Sequence, residues 1–547
     1  MDKKTRKSIY KRAMKVAIIS LIGFTVLIIR LFWIQIVKGK EYGLDADKQQ
    51  LKEIRIAPAR GNIFDRNNNK LTNNKIEKTV FLLRDVVIND NQIIESMREK
   101  LNFTEKDIET IKRSKNRIVE IPLNIDIEET IVIRGVIIED KIIRYDDNNL
   151  LSHVIGYIKR SENVGEYGIE KEYDSLLKMN SDSGVKYIAV DGKQRVIPGL
   201  MDTEVISEKE IITNSIKLTI DIMMQKEVEK ILDNNKANGA VIITDVSTGD
   251  ILVMASRPNI NQNDIEANLN SNKMDFYNKA IEVSYPPGSI FKTVVLLAAL
   301  EENTINLDET FFCLGYEDLG NFKIRCNKTE GHGELTTYEA FSVSCNSAFI
   351  QIGKKIGAKK IIDMARRLGF ERKVQDILIE ASGNLPQNDE LLGPAIGNIS
   401  IGQSNIEVTP LQVTNMMMII ANEGIQKDIS IADSIVTEDG RFVKKVVREK
   451  DERVLSTRLC RQITNCLEGV IDSGTAKNVN LSRIGDAAGK TGSAENSMKN
   501  THAWFSGFYP RDNPKYVITV FIEEGGSGGK IAVPIFEEIA KNIYDIN

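Results

Sequence analysis

A basic cluster running straight into an apolar stretch decides which compartment this chain can occupy before any other residue is read. Lys3, Lys4, Arg6, Lys7, Lys11, Arg12 and Lys15 precede Val16 to Ile29, a run without a charge. Arg30 interrupts it, and Leu31 to Val37 continue mostly apolar. Together, Val16 to Val37 match the ~20 residues that cross a bilayer, with Arg30 snorkelling to the outer face. A cleaved signal peptide would need a small-residue cleavage site, but the run passes into Phe32, Trp33 and Gln35. The expectation is therefore an uncleaved anchor over 16–37. Residues 1–15 form a cytoplasmic basic tail, and the remainder lies outside, as the positive flank dictates.

At 547 residues the chain exceeds one ordinary core, so two or three domains are expected. Hydrophobic residues make up 42% and charged residues 27%, enough to pack globular domains. A net charge of −4 gives no chain-wide surface for nucleic acid. The cysteines are Cys313, Cys326, Cys345, Cys460 and Cys466, an odd number that makes no disulfide framework. Residues 38–215 alternate charged, Asn-rich stretches with short β-type runs such as Thr79 to Leu83 and Ile131 to Ile138. They read as an elongated α+β region without a catalytic motif. Residues 216–547 read as a compact α/β domain. Ala240 to Thr244 and Ile251 to Ala255 look like buried strands joined by a turn at Asp245 to Asp250. Helices are expected over Phe291 to Leu300, Tyr338 to Ile356, Thr409 to Ala421 and Pro534 to Ile543, with a strand over Tyr516 to Ile522. A sheet with helices on both sides is the layered architecture this order implies.

Three short motifs carry chemistry. In Tyr285–Pro286–Pro287–Gly288–Ser289–Ile290–Phe291–Lys292, a rigid turn precedes an apolar helical run. Ser289 then sits at a helix N-terminus, where free N–H groups and the dipole favour negative charge. Lys292 follows three residues later on the same face. A serine needs a base within reach to act as a nucleophile, and a desolvated lysine serves; alone, Ser289 would read equally as a helix cap. Ser344–Cys345–Asn346 lies in an apolar helical stretch. Residues spaced i, i+2 do not share a helix face, so a local loop is expected, with a pair of satisfied core side chains as the alternative. Lys490–Thr491–Gly492–Ser493 offers a cation and hydroxyls suited to a carboxylate, and Gly492 lets a substrate backbone approach. Its alternative is a surface turn.

In combination, S-x-x-K, S-x-N and K-T-G form the signature set of serine penicillin-recognising enzymes. On these residues the chain resembles the class B penicillin-binding proteins, monofunctional D,D-transpeptidases of peptidoglycan synthesis. Further matches are Arg60–Gly61–Asn62–Ile63–Phe64–Asp65–Arg66–Asn67 and Gly168–Ile169–Glu170–Lys171 with Tyr173 and Leu177. Leu218–Thr219–Ile220–Asp221, Ile401–Gly402–Gln403, Thr409–Pro410–Leu411–Gln412 and Ala503–Trp504–Phe505–Ser506–Gly507 also fit. Residues 80–150 match nothing comparable. The resemblance implies an α/β (α+β) transpeptidase domain, an antiparallel sheet flanked by helices, behind an elongated α+β pedestal and one transmembrane helix.

It also implies roles. Ser289 attacks the D-Ala–D-Ala carbonyl of a stem peptide, forming an acyl-enzyme, and Lys292 accepts its proton. Ser344 relays a proton to the leaving amine, and Asn346 holds the donor amide. Lys490, Thr491 and Ser493 bind the terminal carboxylate. The N–H groups of Ser289 and Ser493 form the oxyanion hole, worth roughly 3–4 kcal/mol per donor. The partners implied are stem peptides, β-lactams, the membrane, a membrane glycan polymerase and morphogenesis proteins, with no nucleic acid. Ser344–Cys345–Asn346 looks more like division and sporulation members than elongation members.

Cys313, Cys326 and His332 fall within twenty residues of one another. A hairpin over Thr310 to Cys326, turning near Asp318 to Asn321, would bring the two thiols to one end. Two thiolates and an imidazole suit a structural zinc, with Asp308 as the fourth ligand. A Cys313–Cys326 disulfide, free thiols, and a capping role for His332 remain open. The serine chemistry itself needs no cofactor. Cys460 and Cys466 are expected in the core. A class D-like β-lactamase or β-lactam sensor shares S-x-x-K and K-T-G, but the long pedestal and Asn346 argue against it. A non-catalytic scaffold for a glycan polymerase is opposed by the intact motif set.

Overall fold

The computed structural model describes residues 3–42, 51–56, 60–123, 131, 133–159, 162–178, 185–191, 214–268, 274–320, 322–403, 405–496 and 498–546. An N-terminal helix runs over Lys3–Phe32 and continues as a wider turn over Trp33–Val37. The stretch Lys7–Val37 is long and apolar enough to cross a membrane, and its most apolar window is wholly unburied. Being apolar all round rather than along one stripe, it suits lipid better than the edge of a core.

The chain divides into two compact units, the first of which includes this helix. The first comprises residues 1–58, 76–143 and 181–211. Its sheet places Lys75–Leu83 between Ile118–Pro122 and Val136–Ile143. Helices Asn91–Leu101 and Glu105–Arg113 bury Ile93, Ile94, Met97, Leu101, Ile108 and Ile111 in the same core as Val80 and Leu82. Both helices start where the sequence supplies a cap, at Asp90 and in the Thr104–Asp107 capping box. The expected β-run Thr79 to Leu83 lies in the central strand; within Ile131 to Ile138, residue 132 lies outside the described residues.

The second unit gathers residues 59–75, 144–180 and 212–547. The helices and strands of this unit that frame the site are, in chain order, α1 Ile222–Asn234, β1 Gly239–Asp245, β2 Ile251–Arg257, α2 Lys292–Glu301, α3 Thr337–Ser342 and α4 Asn346–Ile356. They continue as α5 Pro410–Ala421, β3 Ala488–Glu495, β4 Thr501–Tyr509, β5 Tyr516–Ile522 and α6 Val533–Ile546. The sheet runs β2-β1-β5-β4-β3 and is antiparallel throughout. β1 and β2 read as continuous apolar runs because both of their faces are covered. α5, buried along its length, packs on β1, β4 and β5, while α1 and α6 pack on each other and on the sheet. β3 is an edge strand.

The first two resemblance segments meet within this unit. Arg60 Nε donates to Glu170 Oε2 at 2.6 Å, and a terminal guanidinium nitrogen of Arg60 donates to Asp174 Oδ1 at 2.6 Å. Arg144 Nε bonds the other Glu170 oxygen, which also accepts from the Tyr145 hydroxyl at 2.9 Å. Arg60, Arg144 and Glu170 are all buried. Burial opposes ionisation of Glu170, but the two guanidinium groups outweigh it and hold the carboxyl below its usual range.

Candidate active site

The Pro286–Pro287 turn is held by the Trp504 indole, whose Nε1 donates to Pro286 O at 3.1 Å. Gly288 then takes φ +52°, and a Cβ there would sit 2.6 Å from the carbonyl oxygen of Ser493. Only glycine lets the serine turn lie this close to β3. Ser289 is the second residue of a short 3-10 turn, Gly288–Phe291, that leads into α2. Early N–H groups of such a turn have no partner within it, which places a free donor at Ser289 beside the backbone of Ser493.

The expected loop at Ser344 is present. α3 ends at Ser342, Ser344 has φ +57°, and α4 restarts at Asn346. This break turns two residues that no single helix face could share toward one ammonium. Lys292 Nζ donates to Ser344 O at 2.8 Å, Ser344 Oγ at 3.2 Å and Asn346 Oδ1 at 2.7 Å. Lys292 is fully buried, and burial brings its pKa down to about 8, opposed by the Cys345 and Cys326 thiols. All three partners are neutral oxygens; no carboxylate pairs with it among the described residues.

Lys490 is likewise fully buried, with Nζ donating to Thr491 O at 3.2 Å and lying 5.4 Å from the Phe341 ring centroid. Its pKa lies well below the usual lysine value, through burial first and the charge of Lys292 second. The hydroxyls of the same motif are held differently. Thr491 Oγ1 and Thr475 Oγ1 are 2.6 Å apart, and Ser493 Oγ accepts from Gly528 N at 3.1 Å. Thr475 is a partner that the sequence reading missed, because it belongs to none of the three motifs. Gly402 is another unassigned contributor, its carbonyl accepting from Gly288 N at 3.0 Å. A groove of about 520 Å³ brings the second and third motifs together, with Asn346 and Ser493 in its lining.

Beside this groove Cys313, Cys326, His332 and Cys345 place four donor atoms within 4.8 Å of one another. Asp308, expected as the fourth ligand, is exposed and outside this cluster; Cys345, the spacer of the second motif, takes that position. The hairpin also differs from expectation. Thr310–Cys313 pairs with Gly333–Thr336, while Tyr316–Asp318 pairs with Lys323–Arg325. Of the expected turn, Asn321 lies outside the described residues. The Cys313–Gly333 register places Cys313 beside His332, and the Cys326 N to Gly315 O bond of 2.8 Å folds Cys326 back toward them.

All five cysteines are free thiols, so Cys313 and Cys326 are not bonded as a disulfide. Cys460 and Cys466 lie in the core as expected. Cys326 Sγ lies 3.8 Å from Cys345 Sγ and 3.5 Å from His332 Nδ1. A tetrahedral zinc with Zn–S near 2.3 Å and Zn–N near 2.0 Å has edges of about 3.8 and about 3.5 Å. A hydrogen bond from Cys345, with backbone donors, lowers the Cys326 thiol toward the thiolate a metal needs. The four residues fit a Cys₃His zinc site.

Residues 239–541 match the penicillin binding protein transpeptidase domain, and residues 55–213 match the penicillin-binding protein dimerisation domain. Stage V sporulation protein D of Bacillus subtilis is 30% identical over 98% of this chain and 85% of its own. The peptidoglycan D,D-transpeptidase MrdA of Haemophilus influenzae is 25% identical over 98% and 92%. Among solved structures, a complex between penicillin-binding protein PBP2 and MreC from Helicobacter pylori matches with a TM-score of 0.65 at 25% identity, covering 91% of this chain and 99% of that one. With its transpeptidase domain behind a dimerisation domain and an apolar N-terminal helix, the chain belongs to the penicillin-binding protein transpeptidase family, as a class B member.

Proposed function

We propose that this protein crosslinks peptidoglycan as a membrane-anchored serine D,D-transpeptidase and is acylated by β-lactams. The observation that carries this reading is Lys292, buried without a counter-ion and bonded to Ser344 and Asn346, one helical turn beyond Ser289. Ser289 Oγ attacks the carbonyl joining the last two D-alanines and passes its proton to neutral Lys292. The oxyanion is met by the N–H groups of Ser289 and Ser493. The C–N bond breaks, the leaving amine takes a proton through Ser344, and D-alanine departs. The amine of a second stem attacks the ester, and Ser289 recovers its proton as the crosslink forms. Thr491 and Ser493 present hydroxyls to the substrate carboxylate. Lys490 lies beneath them, its amine fully buried and donating to the Thr491 carbonyl.

The Cys313–Cys326–His332–Cys345 cluster holds a structural zinc in this reading. The ion would fix the loop that carries Ser344 and Asn346, because Cys345 lies between them. Near-zero zinc in protein purified without chelator would exclude it. The N-terminal tail is cytoplasmic and the catalytic unit extracytoplasmic, by the charge asymmetry of the anchor. A morphogenesis protein is the expected partner, by similarity to the MreC-bound relative, together with a membrane glycan polymerase. Relatives named for sporulation and for MrdA leave the process served open to either role.

The test is product analysis with stem peptides ending in D-Ala–D-Ala. Wild type releases D-alanine and forms dimers that benzylpenicillin blocks, while Ser289→Ala does neither. Hydrolysis of the penicillin would identify a β-lactamase, and an inert wild type a scaffold.

A further inference from the structure

β5 pairs as far as Ile522, which lies opposite Ala503 of β4. Two residues later Glu524 takes φ +53°, a left-handed conformation that costs any residue with a Cβ. The chain then runs across the neighbouring strands before it enters α6. Gly526 N donates to Thr501 O at 2.7 Å, and Gly528 N donates to Ser493 Oγ at 3.1 Å. Gly525 to Gly529 therefore form a strap from the start of β4 to β3. The strap lies directly on backbone, since a Cβ at position 528 would sit 2.3 Å from Gly492 O and 2.5 Å from Trp504 O.

Glu524 is tied at both its backbone and its side chain. Its N–H donates to His502 Nδ1 at 3.1 Å, and His502 is buried against the rings of Tyr285 and Phe521. Its Oε1 accepts from Asn500 Nδ2 at 2.8 Å and from Asn496 Nδ2 at 3.1 Å. Asn496 Oδ1 accepts in turn from the N–H groups of Met498 and Asn500, at 3.0 and 2.9 Å. The carboxylate thus fastens the strap to a turn between β3 and β4 that is itself braced. Glycine would take the backbone of position 524 without cost; what glutamate adds is this tie. It bears on the reaction because Ser493, Glu495 and Thr501 line the groove, and the Ser493 N–H meets the oxyanion in the mechanism above. β3 is the sheet edge, paired only with β4. A displacement of about 1 Å at such a donor costs on the order of a hundredfold in rate.

We propose that Glu524 is a positioning residue: by joining the β3–β4 turn to the glycine strap, it holds the Ser493 N–H where the oxyanion forms. This rests on the transpeptidase reading above.

The experiment uses the full chain in detergent and follows single-turnover acylation by benzylpenicillin, resolved into non-covalent affinity and an acylation rate constant. Glu524→Gly is expected to lower the rate constant at least about tenfold and to leave affinity within about twofold, because only the transition state uses the donor. Its melting temperature should hold or rise, since φ +53° suits glycine. Glu524→Gln keeps an acceptor in place and should recover most of the rate. Asn500→Ala removes a donor without touching position 524, and it too should slow acylation. The double variant should be no slower than Glu524→Gly, as expected when both changes break one contact. Wild-type rate constants in Glu524→Gly and Asn500→Ala, additive losses in the double variant, a loss confined to affinity, or a Gln variant as slow as the Gly variant overturns the proposal. If Glu524→Gly does not fold, the Asn500→Ala rate decides alone. Wild type that benzylpenicillin does not acylate would instead overturn the transpeptidase reading beneath it.

Discussion

The second unit buries two pairs of cations in opposite ways. Arg60 and Arg144 lie at the meeting point of the pedestal motifs, where Glu170 accepts from both and Asp174 from Arg60, while the Tyr145 hydroxyl donates to Glu170. Lys292 and Lys490 lie under the candidate groove, donating to neutral oxygens and facing aromatic rings, with no carboxylate among their hydrogen-bond partners in the described residues. Paired burial keeps a charge and fixes geometry, whereas unpaired burial gives the charge up and yields a base. The residue types follow suit. Arginine stays ionised, so its burial requires carboxylates; lysine shifts when desolvated. One cluster ties the pedestal motifs together, and the other carries the reaction in the proposed mechanism.

Substitutions should separate the two. Lys292→Met is expected to lower penicillin acylation by at least about a thousandfold, because the proton acceptor is lost. The melting temperature should hold or rise, since an uncompensated buried amine is removed. Glu170→Ala should do the reverse, costing about 3–5 kcal/mol in urea unfolding by stranding two buried guanidinium groups. The acylation rate per folded molecule should stay near wild type. A Lys292→Met protein as destabilised as Glu170→Ala would break the comparison.

A pH profile sharpens it. With Lys292 near 8, the neutral amine is scarce at low pH. Acylation should therefore rise about tenfold per pH unit below that value and level off above it. A flat profile between pH 6 and 8 would remove Lys292 from the role. The smallest effect is expected from Thr475→Val, which deletes the 2.6 Å contact to Thr491. It should raise KM for a D-Ala–D-Ala donor several-fold, in keeping with roughly 1 kcal/mol for one hydrogen bond, with little change in kcat.

The candidate catalytic residues were legible in the sequence because each belongs to a short motif whose spacing is fixed by local structure. A proline-glycine turn, a helix break and an edge strand each announce themselves within eight residues. Most of the expected strands and helices held for the same reason, since buried strands read as apolar runs and helices begin at caps such as Thr409. The fourth cluster residue was not legible. Asp308 is near Cys313 in sequence, but Thr310–Cys313 pairs with Gly333–Thr336, which leaves Asp308 at the solvent end. Cys345 comes in through the loop that the second motif requires. Arg60 and Glu170 each stood in a quoted motif, yet nothing local signals a bond across 110 residues. Thr475 was invisible for want of any motif around it.

The most direct test of the central claim is the intact mass of the protein after incubation with benzylpenicillin, for wild type and Ser289→Ala side by side. One stable penicilloyl adduct on wild type and none on the variant is the result this account predicts. An adduct on both proteins, or on neither, would contradict Ser289 as the nucleophile.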